Sequence, residues 1–250
     1  MKRFWPIGAA ALGLCLAQPA VAAEIDVISI PGVRAALDQL VPQFEGSTGN
    51  KVTIHYEIYA GQKKAVEAGN FDVAIFAKSQ IADMSKLGKV AANSNTDIAR
   101  TSIGIAVRKD APKPDIHDAE AFKRTLLAAK SIAYTQKSST GVYITELLAR
   151  LGIADAIKDK LKLQPGGGMT TPAVAKGEAE LAIVLVSDIL ATPGVDLVGP
   201  LPDALQNYVV QTAVLGATAK QPAAGAAFIK FLTGPAAARA FKSTGLEPPH

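Results

Sequence analysis

The chain repeats one short instruction at a fixed distance. Ala65-Val66-Glu67-Ala68-Gly69-Asn70-Phe71-Asp72-Val73-Ala74-Ile75 is echoed 108 residues further on by Ala173-Val174-Ala175-Lys176-Gly177-Glu178-Ala179-Glu180-Leu181-Ala182-Ile183, and the same offset pairs Ser79 with Ser187 and Ile81 with Ile189. Each copy reads as a helix end, a glycine stop, an acid and a buried strand. Glycine closes the helix because it alone enters the left-handed region freely, and an unbroken Ala/Val/Ile run suits a strand covered on both faces. Any single helix-glycine-strand junction looks like this. Two in one register predict two α/β units of one design, with a cleft between them.

The first residues read as an export signal. Lys2 and Arg3 precede an apolar run through Ile7, Leu12, Leu14 and Leu16, and Ala20-Val21-Ala22-Ala23 offers small residues for cleavage near Ala22 or Ala23. The run is too short to span a bilayer. Cys15, the single cysteine, lies inside it behind Leu14, whereas a lipid-modified cysteine follows a small residue; the mature chain therefore has neither disulfide nor thiolate chemistry. The formal net charge is +4, half of it carried by Lys2 and Arg3, a balance too even for nucleic acid or a membrane surface. The expected product is a soluble periplasmic monomer.

From Glu24 the pattern runs β-α-β-α-β: strands over Glu24 to Ile30, Lys51 to Tyr56 and Val73 to Phe76 alternate with helices stopped at Gly46/Gly49 and Gly69. This is the grammar of a mostly parallel sheet flanked by helices. The second half repeats it, with strands at Ser131 to Tyr134, Leu161 to Leu163 and Leu181 to Leu185. Strands Ser102 to Val107 and Tyr208 to Leu215 are expected to carry the chain between lobes as two hinge strands. That assigns residues 1–23 to the signal, 24–103 and 214–250 to lobe one, and 104–213 to lobe two.

Covalent catalysis has little to work with. There is no Gly-x-Ser-x-Gly elbow and no Ser-x-x-Lys, and His55, His117 and His250 are isolated in sequence. No His-Glu-x-x-His, calcium loop or cysteine pair suggests a metal, and Gly166-Gly167-Gly168-Met169-Thr170-Thr171 lacks the Gly-Lys-Ser/Thr of a phosphate-binding loop. The expectation is a binding protein that is not an enzyme and uses no cofactor; an exported enzyme using the same cleft is the rival, distinguished by turnover.

Three turns carry the binding reading. Pro31-Gly32, Ser139-Thr140-Gly141 and Gly167-Gly168 each end a strand and start a helix, so each can aim backbone N–H groups at an anion on the rim. One such turn is ordinary capping; three on two lobes describe a receptor for a small anion, with Ser139 and Thr140 adding hydroxyls. Tyr59 and Ala60 form a fourth turn, Arg100 could grip a carboxylate with two parallel hydrogen bonds, and Leu185 would present an apolar wall. Pro31, Gly32, Tyr59, Ala60, Arg100, Ser139, Thr140, Gly167 and Gly168 are the candidate ligand-binding residues.

Taken in order, Ala36-Leu37-Asp38-Gln39-Leu40-Val41-Pro42-Gln43-Phe44-Glu45, the Val66 to Ile75 and Gly177 to Ile183 segments, and Phe228-Ile229-Lys230-Phe231-Leu232 with Gly234-Pro235-Ala236-Ala237-Ala238 resemble the periplasmic solute-binding proteins of ABC transporters, in their molybdate-binding-protein-like branch. The resemblance covers almost all of the mature chain. It implies a two-lobed hinge architecture of the type II periplasmic-binding-protein kind, capture of a small anion, and delivery to a membrane permease or a sensor. The pocket departs from the molybdate pattern: Gly32 stands where those proteins carry a serine, Tyr59-Ala60-Gly61 replaces a serine-rich loop, and Leu185 replaces a tyrosine. A dehydrated tetrahedral oxyanion needs a closed cage of donors, so an organic di- or tricarboxylate, of the aconitate or citrate kind, is expected over molybdate or tungstate.

Overall fold

The computed structural model describes residues 22–136, 138–165 and 167–249, with the side chain of Ser139 not among those described. All but the last two positions of the export segment lie outside that range. Lobe one is built from β1 (Glu24–Ser29), α1 (Arg34–Thr48), β2 (Lys51–Tyr56), α2 (Tyr59–Ala68), β3 (Val73–Ala77), α3 (Ile81–Lys86) and β4 (Thr96–Thr101). The second unit follows with β5 (Ile103–Arg108), α4 (Ala119–Ala128), β6 (Ile132–Tyr134), α5 (Ser139–Arg150), α6 (Ala154–Ile157), β7 (Leu161–Leu163), α7 (Thr170–Ala175), β8 (Leu181–Leu185), α8 (Val186–Ala191) and β9 (Val195–Pro200). β10 (Val209–Leu215), α9 (Pro222–Leu232) and α10 (Pro235–Ser243) complete lobe one.

The two sheets have one plan. Their strand orders are β2-β1-β3-β10-β4 and β7-β6-β8-β5-β9. In each, three strands pair in parallel and two pair antiparallel, so the sheets are mixed, the antiparallel strands being those nearest the chain's passages between sheets. The echo seen in sequence is structural: β3 and β8 stand at the same 108-residue offset, and Gly69 and Gly177 hold φ of 72° and 76°, the left-handed cap that side chains resist.

Each sheet is covered on both faces. In lobe one, α1, α9 and α10 bury Leu37, Leu40, Phe44, Phe228 and Phe241 against one face, Phe44 and Phe228 meeting edge to face with centroids 5.0 Å apart, while Val66, Phe76 and Met84 cover the other. In lobe two, Phe122, Tyr134, Ile144 and Leu147 fill one side and Val174, Val184 and Ile189 the other.

The passages are tied together. The chain leaves the first sheet at Thr101 and enters the second at Ile103, and it returns between Pro200 and Val209. Gln206 clasps both passages: its Oε1 accepts from the Ile103 N–H at 2.9 Å, and its Nε2 donates to the carbonyls of Ile103 at 3.0 Å and Leu201 at 3.2 Å. The lobes also touch where α8 meets the short 3-10 turn Pro31–Val33 and where Gly245 packs on Ser187 and Leu190.

The turn from β6 into α5 leaves no room for a side chain at Gly141. Ser138 caps α5 by accepting from the Gly141 N–H at 3.0 Å, and a Cβ on Gly141 would overlap the Thr135 carbonyl. Gly141→Ala is therefore expected to lower stability by about 3 kcal/mol, the upper range for overpacking, read from urea unfolding; a change below about 0.5 kcal/mol would show that this turn relaxes freely.

Candidate functional site

Six strand ends lead through short junctions to helix starts, and residues of all six junctions line one cleft between the sheets. β1 leads into Pro31–Val33 and α1, β2 into α2, and β3 into a 3-10 turn at Lys78–Gln80 and α3. Across the gap, β6 leads into α5, β7 into a turn at Gly167–Met169 and α7, and β8 into α8. Parallel β-α-β units put every such junction on the carboxyl edge of their sheet.

The cleft holds an inner cavity of about 220 Å³ and a more open outer one of about 640 Å³, which share Ile30, Pro31, Gln80, Thr135 and Ser138. The inner volume lies below the ~300–1,000 Å³ of drug-sized pockets, which suits a small metabolite. Its walls are apolar, from Ile144, Ile183, Leu185 and Val209, with Gly32, Thr140, Gly168, Gln211 and Asp188 interspersed. Tyr59, Ala60, Glu57 and Gln62 line the outer part.

Of the predicted residues, Pro31, Gly32, Thr140 and Gly168 thus meet at the inner cavity, and Tyr59 and Ala60 at the outer one. Ser139 and Gly167 belong to the junction backbones, the Ser139 side chain lying outside those described. Arg100 lines neither cavity. Strand alternation explains it: in the β10–β4 register Arg100 faces Val210, whereas Val209 and Gln211, on the opposite face of β10, line the cleft. Its guanidinium donates to Glu247 at 2.9 and 3.0 Å and stacks 4.0 Å from the Tyr208 ring. The other two basic residues beside the rim are also engaged, Arg34 over Tyr56 at 4.0 Å and Lys78 on Asp97 at 2.6 Å. Among the described residues, no lysine or arginine lines either cavity.

Unsatisfied polarity collects in the same place. Four buried side-chain oxygens without a hydrogen-bond partner among the described residues, Gln62 Oε1, Gln80 Oε1, Thr135 Oγ1 and Gln211 Oε1, belong to residues lining the cleft. Such groups are costly unless a ligand or solvent meets them. Gln80, Thr135, Gln211 and Asp188 were not among the residues picked from sequence. The signal for two of them was present: the echo pairs 79 with 187 and 81 with 189, so Gln80 and Asp188 are counterparts in the two lobes.

Asp188 is the one ionisable side chain lining the inner cavity among the described residues, and none of these hydrogen-bonds its carboxylate. It is partly open to the cleft yet hemmed in by protein, and desolvation pushes its carboxyl up to about 6 from an ordinary 3.8. No group of three His, Asp or Glu among the described residues could hold a metal. A groove of about 600 Å³ beside Arg108, Lys113 and Lys130 lies elsewhere, at the amino ends of β6 and β8, the opposite edge of that sheet.

Two mixed sheets, a cleft fed by six helix starts and a small inner cavity define a receptor for a small solute. The chain belongs to the bacterial extracellular solute-binding protein family, whose model it matches over residues 25–247. It is 31% identical over 242 residues to an aconitate isomerase from Pseudomonas sp, covering 94% of this chain and 91% of that protein. It is 28% identical over 237 residues to the molybdate-binding protein ModA of Azotobacter vinelandii, covering 92% of each. In three dimensions it superimposes on the periplasmic molybdate-binding protein of Azotobacter vinelandii with a TM-score of 0.73 at 21% identity, over 90% of this chain and all of that one.

The first of these relatives is an enzyme, which overturns the expectation of a protein without catalytic activity. That expectation rested on missing nucleophile and metal motifs. Proton transfer requires neither; one carboxyl with a suitable pKa and position suffices, and no sequence motif announces one.

Two outcomes follow from the site. Gly32 faces open space, so Gly32→Val should fold normally while filling the cavity, weakening by about a hundredfold, roughly 2.7 kcal/mol, the binding of whichever organic acid most raises the melting temperature; unchanged calorimetric affinity would remove Gly32 from the site. Asp188 is easier to protonate folded than unfolded, so the stability it contributes is lost as pH rises from about 3.8 to about 6. Asp188→Asn should accordingly stabilise the fold above pH 6 by up to about 3 kcal/mol and leave it unchanged near pH 4, measured by melts across that range.

Proposed function

We propose that the cleft captures a small di- or tricarboxylate of the aconitate kind and that the protein turns it over as an isomerase, working outside the cytoplasm as a soluble monomer. The observation that carries this reading is the 31% identity to an aconitate isomerase across 94% of the chain. The cleft supports it in two ways. Asp188 apart, the polar groups of the inner cavity are junction amides, hydroxyls and carboxamides, suited to carboxylate oxygens, and the apolar walls from Ile144, Ile183, Leu185 and Val209 suit a carbon skeleton better than a tetrahedral metal oxyanion. Export is supported by the amino-terminal pattern and by the family, and no helix among the described residues is long and apolar enough to cross a membrane. Family membership also favours recognition of the liganded form by the permease of an ABC-type transporter or by a sensor.

Incubating the mature protein with cis-aconitate and following the trans isomer by proton NMR tests the reading directly. Formation of the trans isomer is expected, and aconitate at about a hundred times its dissociation constant should stabilise the fold by roughly 2.7 kcal/mol. No conversion, with a melting shift given by molybdate or tungstate and by no carboxylate, would overturn it.

A further inference from the structure

Resting on the isomerase reading, we propose that Asp188 is the catalytic acid–base of the cleft, removing a proton from the methylene of the bound substrate and returning it to the far carbon of the same three-carbon unit. Aconitate carries a methylene group next to a carbon–carbon double bond, both flanked by carboxylates. The methylene C–H bond breaks as the Asp188 O–H bond forms, and the released electron pair spreads over the three carbons and the conjugated carboxylate. The O–H bond then breaks as a C–H bond forms at the other end. The double bond has moved by one position, its new geometry set by how the carbon chain is held, and Asp188 is again a carboxylate. Nothing is oxidised or reduced, and no co-reactant is needed.

Three observations point to this residue. The first is electrostatic. A cleft that only holds polycarboxylates is weakened by a carboxylate on its own wall, and lobe one has neutral Gln80 at the counterpart position. Glu57 and Asp83 line only the outer cavity, so Asp188 is the one carboxylate set against the inner one among the described residues.

The second is that, beyond standing in the first turn of α8, where an acid suits the helix dipole, the Asp188 carboxylate is held by no partner among the described residues. A buried carboxylate with a structural role is paired or capped; that of Asp188 receives no hydrogen bond from the described residues, although its backbone carbonyl accepts from Thr192 at 2.8 Å. Compare Asp72, whose two oxygens take the N–H groups of Asp26 and Gln221 at 3.0 and 2.7 Å.

The third is placement. α8 is held between β5, β9 and the Pro31–Val33 turn of the other lobe, and the close approach of Gly245 to Ser187 and Leu190 leaves no room for a Cβ there. Asp188 is thus fixed at the point where the two lobes meet, facing the cavity that Gly32, Thr140 and Gln211 also line. The desolvation that raises its pKa also brings it towards the working pH, where a group acts best as base and then acid.

The experiment compares wild type, Asp188→Asn and Asp188→Glu, each as the mature chain, in calorimetric binding of aconitate, rate of isomerisation, and entry of deuterium into the substrate methylene in heavy water. Asp188→Asn is expected to bind aconitate as tightly as wild type or more so, and to lose isomerisation and methylene exchange together by about 10²–10⁴-fold. Asp188→Glu, which keeps a carboxylate, should recover at least tenfold over Asp188→Asn. Should Asp188→Asn fail to fold, Asp188→Ala serves the same comparison. A folded neutral variant that isomerises within tenfold of wild type overturns the assignment while leaving the isomerase reading intact. Loss of binding in step with activity overturns it too, since a residue that merely holds the ligand gives that result. A wild-type protein that binds aconitate without isomerising it overturns both.

Discussion

The chemistry open to this cleft is governed by one constraint: in a right-handed parallel β-α-β unit every strand hands over to its helix on the same edge of the sheet. Two such sheets with those edges opposed give a gap bordered by six helix starts, with β8 and β10 along its wall. Helix starts offer N–H groups without intrahelical partners and about half a positive charge each. The described part of the cleft uses these in place of lysine or arginine, since the basic side chains beside it are engaged by Glu247, Tyr56 and Asp97. Peptide dipoles are rigid, so they can receive an anion without the ordering cost of a long side chain.

Much of this was legible in the sequence. The β-α-β order, the glycine caps and the 108-residue echo all survive as β3, β8, Gly69 and Gly177 in their expected places. β4 was not foreseen, because Thr96 to Thr101 carries one strongly apolar residue, Ile98, and becomes a strand through pairing with β10 rather than by its own pattern. The short α8 was missed for a related reason: six residues are too few to show a helical period.

The lining of the cleft was legible as backbone and much less so as side chains. Pro31, Gly32, Thr140 and Gly168 could be found because turn chemistry marks a strand-to-helix junction wherever it occurs. Gln80, Gln211 and Asp188 have no such mark, since their roles depend on which way a strand or single helical turn faces. Arg100 shows the same limit from the other side. Its chemistry suits a carboxylate, but one step of strand alternation turns it away from the cleft and onto Glu247.

A binding fold of this kind stands close to catalysis. Lobes that touch at α8 and the Pro31–Val33 turn, with Gln206 clasping both passages, hold a ligand against fixed groups in a small, largely apolar space. That already supplies the positioning from which much of an enzyme's rate arises. What remains for an isomerisation is a proton carrier, and moving from binder to enzyme then requires one ionisable group at a point where a carrier would favour a neutral one. The pairing of Gln80 with Asp188 is that difference in miniature: two equivalent positions, one left with an amide and the other with a desolvated acid. Asp188 stands on the wall of the inner cavity, where a neutral residue would receive an anion more readily, and it is that placement the proposed proton transfer uses.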